Sequence, residues 1–453
     1  MDKEDSLVFG WDFAHREYTC ADGKLVVCSF RTVKVQSQLG KDQAKSRMPR
    51  NGIRLLSGSS PTVVVRGNRL SRDARAVLSG SQTRTYTFPW TVTAVRTHAF
   101  RDVEMLWSVR FNEGLEELDN GCFWGSGVWR LALPSSLKHM GVYAFNSCKN
   151  LERADLRAAG LEELRSGTFG NCEKLRSVLL GDLKSIGNNC FSGSGLEEVS
   201  IPKDVRHIED YTFSSCKRLK RVVFTGDVET VGEQAFADSG LESFEAPATL
   251  HRLEKRAFMD CSALRRADFG ACEFEVGGWT DFFLAGVFEN SGLESVVLPR
   301  ELQVIQDSVF ANCRRLRQIS FGEHCQIESI WSSAFRGSGL ESFTGPASLL
   351  NIEVATFKDC RHLRSVDLSA CRLQNKHYFG KGLGLAKVFE HCELESIAFP
   401  PTLRVVEERE FEGFRSIRSV TFGADSELEE IGQRAFYGCA LESFAAPPRL
   451  KKI

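Results

Sequence analysis

Fifteen cysteines, nine histidines and one glycine-rich stretch are the residues of this chain best suited to covalent, metal or phosphate chemistry. A thiol acts as a nucleophile or ligand only when a base, cation or metal favours its thiolate. His391-Cys392 sets a histidine beside a cysteine, but the histidines as a group are scattered. No paired Cys-x-x-Cys, His-Glu-x-x-His, Walker-type glycine loop, EF-hand loop or Gly-x-Ser-x-Gly elbow occurs. Gly380-Lys381-Gly382-Leu383-Gly384 offers backbone N–H groups to a phosphate, yet it lacks the full fingerprint and follows no βαβ pattern. The expectation is a protein that is not an enzyme and has no catalytic residues, cofactor or metal.

Recognition is the chemistry left. Trp107 and Trp129 occupy equivalent positions one period apart, with Arg110 and Arg130 beside them and Trp124 close in sequence. Exposed tryptophan next to arginine is the composition of an interface hot spot. A second group lies in two matching long stretches, Asp268 to Val287 and Asp367 to Val388, which bring Trp279, Phe282 and Phe283, and His377, Tyr378 and Phe379. Their cysteines, Cys272 and Cys371, are 99 residues apart. Both groups have a structural alternative. The N-terminal region could fold over the tryptophans, and the inserted aromatics could pack on the body of the protein.

These residues are positioned by a repeat. Leu196 to Leu219 reads LEEVSIPKDVRHIEDYTFSSCKRL and returns in altered form along the chain. Its phenylalanine recurs at Phe100, Phe123, Phe145, Phe169, Phe191, Phe213, Phe236, Phe258, Phe288, Phe310, Phe335, Phe357, Phe389, Phe411 and Phe436, 22 to 25 residues apart except for two gaps of 30 and 32. Such a period predicts a solenoid. Repeats ending in Phe-x-x-Cys-x-x-Leu alternate with shorter ones ending in Phe-x-x-Ser-Gly-Leu, so the unit is a pair of about 45 residues. Leu-x-x-Val-x-Ile reads as a short strand with its apolar residues inward. The proline after it in the short kind, as at Pro202 and Pro247, suits a strand end. The segment from there to the phenylalanine predicts turns or short 3₁₀ pieces.

Eight cysteines (Cys148, Cys172, Cys216, Cys261, Cys313, Cys360, Cys392, Cys439) share one repeat position with Ser126, Ser194, Ser239, Ser291 and Ser338. That position asks for a small buried side chain, a role free cysteine fills. Rungs ~4.8 Å apart put most of these thiols too far from one another for a disulfide. Only Cys148/Cys172 and Cys360/Cys392 fall on neighbouring rungs, and a reducing compartment is expected.

The first exposed position of each strand carries Glu152, Arg176, Glu197, Lys220, Glu242, Arg265, Glu294, Arg317, Glu341, Arg364, Glu395, Arg418 and Glu442, alternating in sign without exception. Opposite charges on neighbouring strands stabilise register, and a slip of one rung would set like charges together. The ladder is expected to be structural.

Residues 1–77 hold 14 Lys or Arg against 8 Asp or Glu, whereas the remainder holds 44 against 51. The basic stretch, residues 31–75, is read either as an arm for an acidic partner, a membrane surface or nucleic acid, or as an extension that needs only solvation. Its near lack of aromatics favours the second. Its neighbouring apolar runs, Leu25 to Cys28 and Thr62 to Val65, are candidates to pair as strands and cap the array, which is expected over 78–453 with a degenerate first turn near Leu78.

The motif Leu-x-x-Ile/Val-x-x-x-x-Phe-x-x-Cys-x-x-Leu-x-x-Val resembles the BspA-like, or Treponema-type, leucine-rich repeats. The resemblance covers about residues 78 to 453. It implies a curved leucine-rich-repeat solenoid of about 15 to 16 turns at 22 to 25 residues each, with a parallel sheet on the concave face and turns on the convex one. Such proteins occur in bacteria and unicellular parasites, and many are surface adhesins, so the resemblance also implies binding to protein partners. The expectation is a non-enzymatic protein-protein interaction scaffold. An adhesin or host-contact protein, and the substrate-recognition part of a larger enzyme or ligase, are the alternatives. No run of 18 apolar residues and no basic, apolar leader is present, so the chain reads as cytoplasmic, with the cell surface as alternative if it is exported by another route. It stops inside a repeat at Leu450-Lys451-Lys452-Ile453, and end-to-end self-association at that open edge is a further expectation.

Overall fold

A computed structural model describes residues 85–88, 92–272, 284–321, 325–374 and 382–453, with the backbone of four earlier strands, Thr19–Cys20, Gly23–Ser29, Thr62–Arg66 and Arg69–Leu70. The chain is a parallel-strand β-solenoid of about 14 turns, and among the described residues its helix content is one four-residue segment, Leu385–Val388. Two compact units divide it, residues 1–226 and 227–453. The turn at the far end of the second unit carries no full strand and is held by single bridges, Ser419 to Ser443 and Glu430 to Lys452, which is one reason the count falls below 15 to 16.

Each turn has three sides. The first is the strand at Leu-x-x-Val. In the first unit Thr85–Thr87, Ser108–Arg110, Arg130–Ala132, Arg153–Asp155 and Ser177–Leu179 form one parallel sheet in chain order, and Glu198–Ile201 pairs with Arg221–Phe224. In the second unit Ser342–Thr344, Ser365–Asp367, Ser396–Phe399 and Ser419–Phe422 do the same. Registers such as Leu131 to Ala154 to Val178 keep the apolar residue of each strand in one buried column. The proline of the short repeat then closes a tight turn, the Pro202 carbonyl accepting from Val205 N–H at 3.1 Å.

The second side is a ladder of two-residue parallel strands that the sequence reading took for turns, such as Ala94–Val95, Glu117–Leu118 and His139–Met140 in the first unit and Val304–Ile305, Ser329–Ile330 and Asn351–Ile352 in the second. In most of these pairs only the second residue is buried, as at Leu118, Met140, Ile305, Ile330 and Ile352, so the ladder is too short for period-two patterning to reveal.

The third side carries the phenylalanine and solves a backbone problem without regular structure. Tyr143, Phe145 and Ser147 donate their N–H groups to the carbonyls of Ser166, Thr168 and Gly170 on the next turn at 2.9, 2.9 and 2.7 Å. Alternate amides point the same way because the residues two before and two after the repeat phenylalanines lie in the left-handed region, as at Tyr143 and Ser147 (φ 56° and 57°) and at Arg256 and Asp260 (φ 56° and 60°), the exception being Lys387 before Phe389, which belongs to the helix Leu385–Val388. That conformation costs most residues ~1–2 kcal/mol, and it lets the amides of the corner pair with the next turn. Inside this corner the rings stack: Phe100, Phe123 and Phe145 have centroids 4.8 and 5.0 Å apart in the first unit, and Phe310, Phe335 and Phe357 are 5.3 Å apart in the second.

Among the earlier strands, Gly23–Ser29 runs antiparallel to Thr62–Arg66 with Val26 opposite Val65 and Cys28 opposite Val63, so the two apolar runs pair with each other. Arg69–Leu70 is parallel to Ala94–Val95 and extends the second-side ladder ahead of Leu78.

Candidate interaction surface

Trp107 and Trp129 stand just ahead of the strands Ser108–Arg110 and Arg130–Ala132, each preceded by a buried residue of the repeat, Leu106 and Val128. With those residues anchored inward, the indoles point out: Trp107 is 46% and Trp129 42% exposed. Backbone pairing sets them on adjacent turns, the Trp129 N–H donating to the Trp107 carbonyl at 3.0 Å. The Arg130 guanidinium lies over the Trp129 ring, 4.3 Å from its centroid, and Arg110 is exposed on the preceding turn. Trp124 does not join them. It sits on the third side, one residue after Phe123, with the Arg101 guanidinium 4.9 Å over its ring and the Tyr143 ring 5.4 Å away.

The ladder residues follow from Glu152. Arg176 reaches Glu197 at 3.8 Å, Arg265 reaches Glu294 at 3.2 Å, Arg317 reaches Glu341 at 3.4 Å, Arg364 reaches Glu395 at 3.5 Å and Arg418 reaches Glu442 at 3.7 Å. Each arginine thus meets the glutamate of the following turn. Among the described residues no ion pair joins Glu152 to Arg176, Glu294 to Arg317, Glu341 to Arg364 or Glu395 to Arg418, so at these turns the charges form pairs that follow the two-turn unit. Glu242 faces the same way on its strand, and Lys220 continues the backbone ladder by donating to the Glu197 carbonyl at 2.9 Å. Arg265 and Arg364 do more than pair: each sends Nη1 to backbone carbonyls, Ser262 and Gly292 at 2.8 and 3.2 Å, and Arg361 and Glu393 at 2.8 and 3.3 Å.

The inserted aromatics Trp279, Phe282, Phe283, His377, Tyr378 and Phe379 lie outside the described residues, as does most of residues 31–75. The flanks of the insertions are described and equivalent. Cys272 and Cys371 are buried and point their thiols at the carbonyls of Pro247 and Pro346, at 3.6 and 3.5 Å.

The groups singled out for other chemistry are already engaged. Gly382 N–H of the glycine-rich stretch donates to Glu407 Oε1 at 3.0 Å, and Leu385 N–H just beyond it donates to Glu410 Oε1 at 2.9 Å, so both amides are held by the protein's own carboxylates. Burial pushes the Glu410 carboxyl above its ordinary range. His391 bonds Asp359 at 3.0 Å, which holds that carboxyl low, while the Cys392 thiol points to the Phe357 carbonyl at 3.0 Å. The repeat-position cysteines do likewise, Cys216 to Phe191 and Cys261 to Phe236, both at 3.0 Å. Burial pushes both thiols up to about 11, which keeps them protonated at neutral pH. Among the described residues no group of three His, Cys, Asp or Glu is placed to hold a metal ion, and no helix is long and apolar enough to cross a membrane.

Sequence reasoning missed two features. The left-handed corner was signalled by Asp102, Asn171, Asp238, Asp260, Asn290, Asn312 and Asp359, all two residues past a phenylalanine, because short polar side chains tolerate that region. The other is Arg153, which stands directly opposite Arg130.

A family model described as a BspA type leucine rich repeat region matches residues 75–182, 158–265, 284–381 and 385–453. No curated protein matches. Among solved structures the chain is similar to a leucine-rich repeat protein from Bacteroides ovatus, at 19% identity over 86% of this chain and 84% of that one, with a TM-score of 0.50. It is also similar to a leucine rich cell surface protein from Faecalibacterium prausnitzii, at 19% identity over 75% and 88% of the two chains with a TM-score of 0.41. A leucine-rich repeat protein of T. pallidum aligns at 22% identity over 41% and 79%, with a TM-score of 0.33. The first likeness speaks to the fold alone.

Proposed function

Because the chain belongs to the BspA type leucine-rich repeat family, we propose that it is a non-enzymatic scaffold that binds protein partners through the strand face of its first unit. One observation carries this reading. Two half-exposed tryptophans occupy adjacent turns at the ladder position that is charged on every later turn, and one is covered by a stacked arginine. An indole left at the surface beside a fixed guanidinium supplies large contact area at little entropic cost, the property of interface anchors. The paired charges further along cancel locally and suit register more than recognition.

The aromatics of the two insertions are proposed as a second contact. A reducing compartment suits the chain, because Cys216 and Cys261 act as hydrogen-bond donors to the turn before them, and oxidation would remove those donors.

The test is affinity capture from native cells with the intact chain, a Trp107→Ala/Trp129→Ala variant and a version lacking residues 1–77, read by mass spectrometry. Partners retained without residues 1–77 and lost with the tryptophans are the expected result. Partners unchanged by the tryptophan substitutions would overturn the assignment of this face.

A further inference from the structure

We propose that the arginines around Trp129 form a docking site for an extended acidic segment of a protein partner. The inference rests on the scaffold reading and names what the scaffold holds.

Strand-face arginines elsewhere have carboxylate partners. In the second unit Arg265, Arg266, Arg317, Arg364 and Arg418 lie 2.9 to 3.7 Å from Glu294, Asp268, Glu341, Glu395 and Glu442. In the first unit Arg176 and Arg221 lie 3.8 and 3.9 Å from Glu197 and Glu198. Arg110, Arg130 and Arg153, on three successive turns, are the exception: all are exposed, and none has a carboxylate within ion-pair reach among the described residues. Arg130 and Arg153 are moreover register partners. Like charges directly opposite one another on neighbouring strands are unfavourable. The nearby Asp155 does not relieve them, since Arg157 holds it at 2.8 and 3.0 Å.

The geometry suits carboxylates. Stacking on Trp129 fixes the plane of the Arg130 guanidinium and leaves its N–H edge to grip an oxygen pair side-on. Arg130 and Arg153 stand opposite one another on neighbouring turns, ~4.8 Å apart, and Arg110 lies on the preceding turn two residues along its strand from Ser108, the register partner of Arg130, so the three cations form a patch that carboxylates of one extended segment can cross. Nucleic acid fits less well. The face of Trp129 on which a base would stack is occupied by Arg130.

The experiment is fluorescence anisotropy of the full chain with a labelled dodecapeptide alternating Glu and Thr. Its Lys-for-Glu counterpart and a single-stranded oligothymidylate serve as comparison probes. The acidic peptide should bind, more weakly as salt rises, and Arg153→Glu should weaken it about tenfold or more. The same substitution sets a glutamate opposite Arg130, so its Tm should be no lower than that of the parent chain, which separates lost binding from lost folding. Arg317→Ala should bind the peptide as the parent does. An acidic peptide that does not bind, that binds Arg153→Glu unchanged, or that the oligonucleotide outcompetes, overturns the proposal. Native partners that depend on Trp107 and Trp129 but survive Arg153→Glu would leave the scaffold reading standing and remove the acidic segment alone.

Discussion

The Cys261 thiol donates to the Phe236 carbonyl on the preceding turn at 3.0 Å, while Ser239 Oγ stands 3.4 Å from the same sulfur. The two turns of the repeat pair are thus joined by a buried Ser–Cys contact, repeated at Ser194 with Cys216, Ser291 with Cys313 and Ser338 with Cys360 at 3.3 Å. The alternation of Cys and Ser along the chain is one donor and one small partner packed turn on turn.

Cys261→Ala removes the donor and leaves a void, and it should lower stability by about 1–2 kcal/mol. Cys261→Ser keeps a donor of similar size and should cost less than half as much. Denaturant midpoints compare them, and equal losses would show that the thiol contributes only by filling space.

Alkaline pH should loosen the array through these thiols. Below ~8.5 a cysteine is neutral in both states. Between there and about 11, where Cys216 and Cys261 titrate in the folded chain, only the unfolded chain loses protons, so stability falls as pH rises. The stability curve should bend downward from about pH 8.5 to 11, and Cys216→Ser/Cys261→Ser should flatten it. At neutral pH the same thiols should react with an alkylating agent only as fast as the chain opens.

Arg265 should matter more than Arg418, although both pair with a glutamate. Arg265 has a side chain 37% exposed and also binds two carbonyls, whereas Arg418 is 65% exposed with its glutamate at 3.7 Å. Arg265→Ala is expected to cost about 1 kcal/mol and Arg418→Ala close to nothing. Arg265→Glu, which sets like charges together, should cost more than Arg265→Ala and recover part of the difference in high salt.

Ala355 holds φ at 59°, two residues before Phe357, where the equivalent corner before Phe288 uses Gly286 at 70°. Ala355→Gly relieves ~1–2 kcal/mol of left-handed strain against the extra freedom of glycine in the unfolded chain. A net gain of about 0.5–1 kcal/mol is expected in the thermal or denaturant midpoint. A loss would mean that the Ala355 methyl contributes packing that outweighs the strain.

Much of the fold was legible because a solenoid repeats its physics. The phenylalanine, the small residue three places on and the Leu-x-x-Val strand each satisfy the same local environment on every turn, so the sequence carries the signal many times. The exposed tryptophans were legible for the opposite reason, as departures from a column otherwise charged. Less could be read where the determinant is backbone. The left-handed residues flanking the phenylalanines include Tyr143, Gln234, Arg256 and Ala355, types with no preference for that region, which adopt it because the amides of the corner must reach the next turn.

By itself the sequence determined the period, the inward columns, the alternation of two repeat kinds and the absence of any familiar catalytic motif, since all of these are properties of residues at fixed spacing. Only the tertiary structure decided which neighbours those residues meet. It set Arg130 against Arg153 and over Trp129, turned Trp124 to Tyr143 instead, and divided an evenly alternating run of charges into pairs. Spacing along a chain places a residue on a turn. The register between turns and the reach of each side chain decide what it touches.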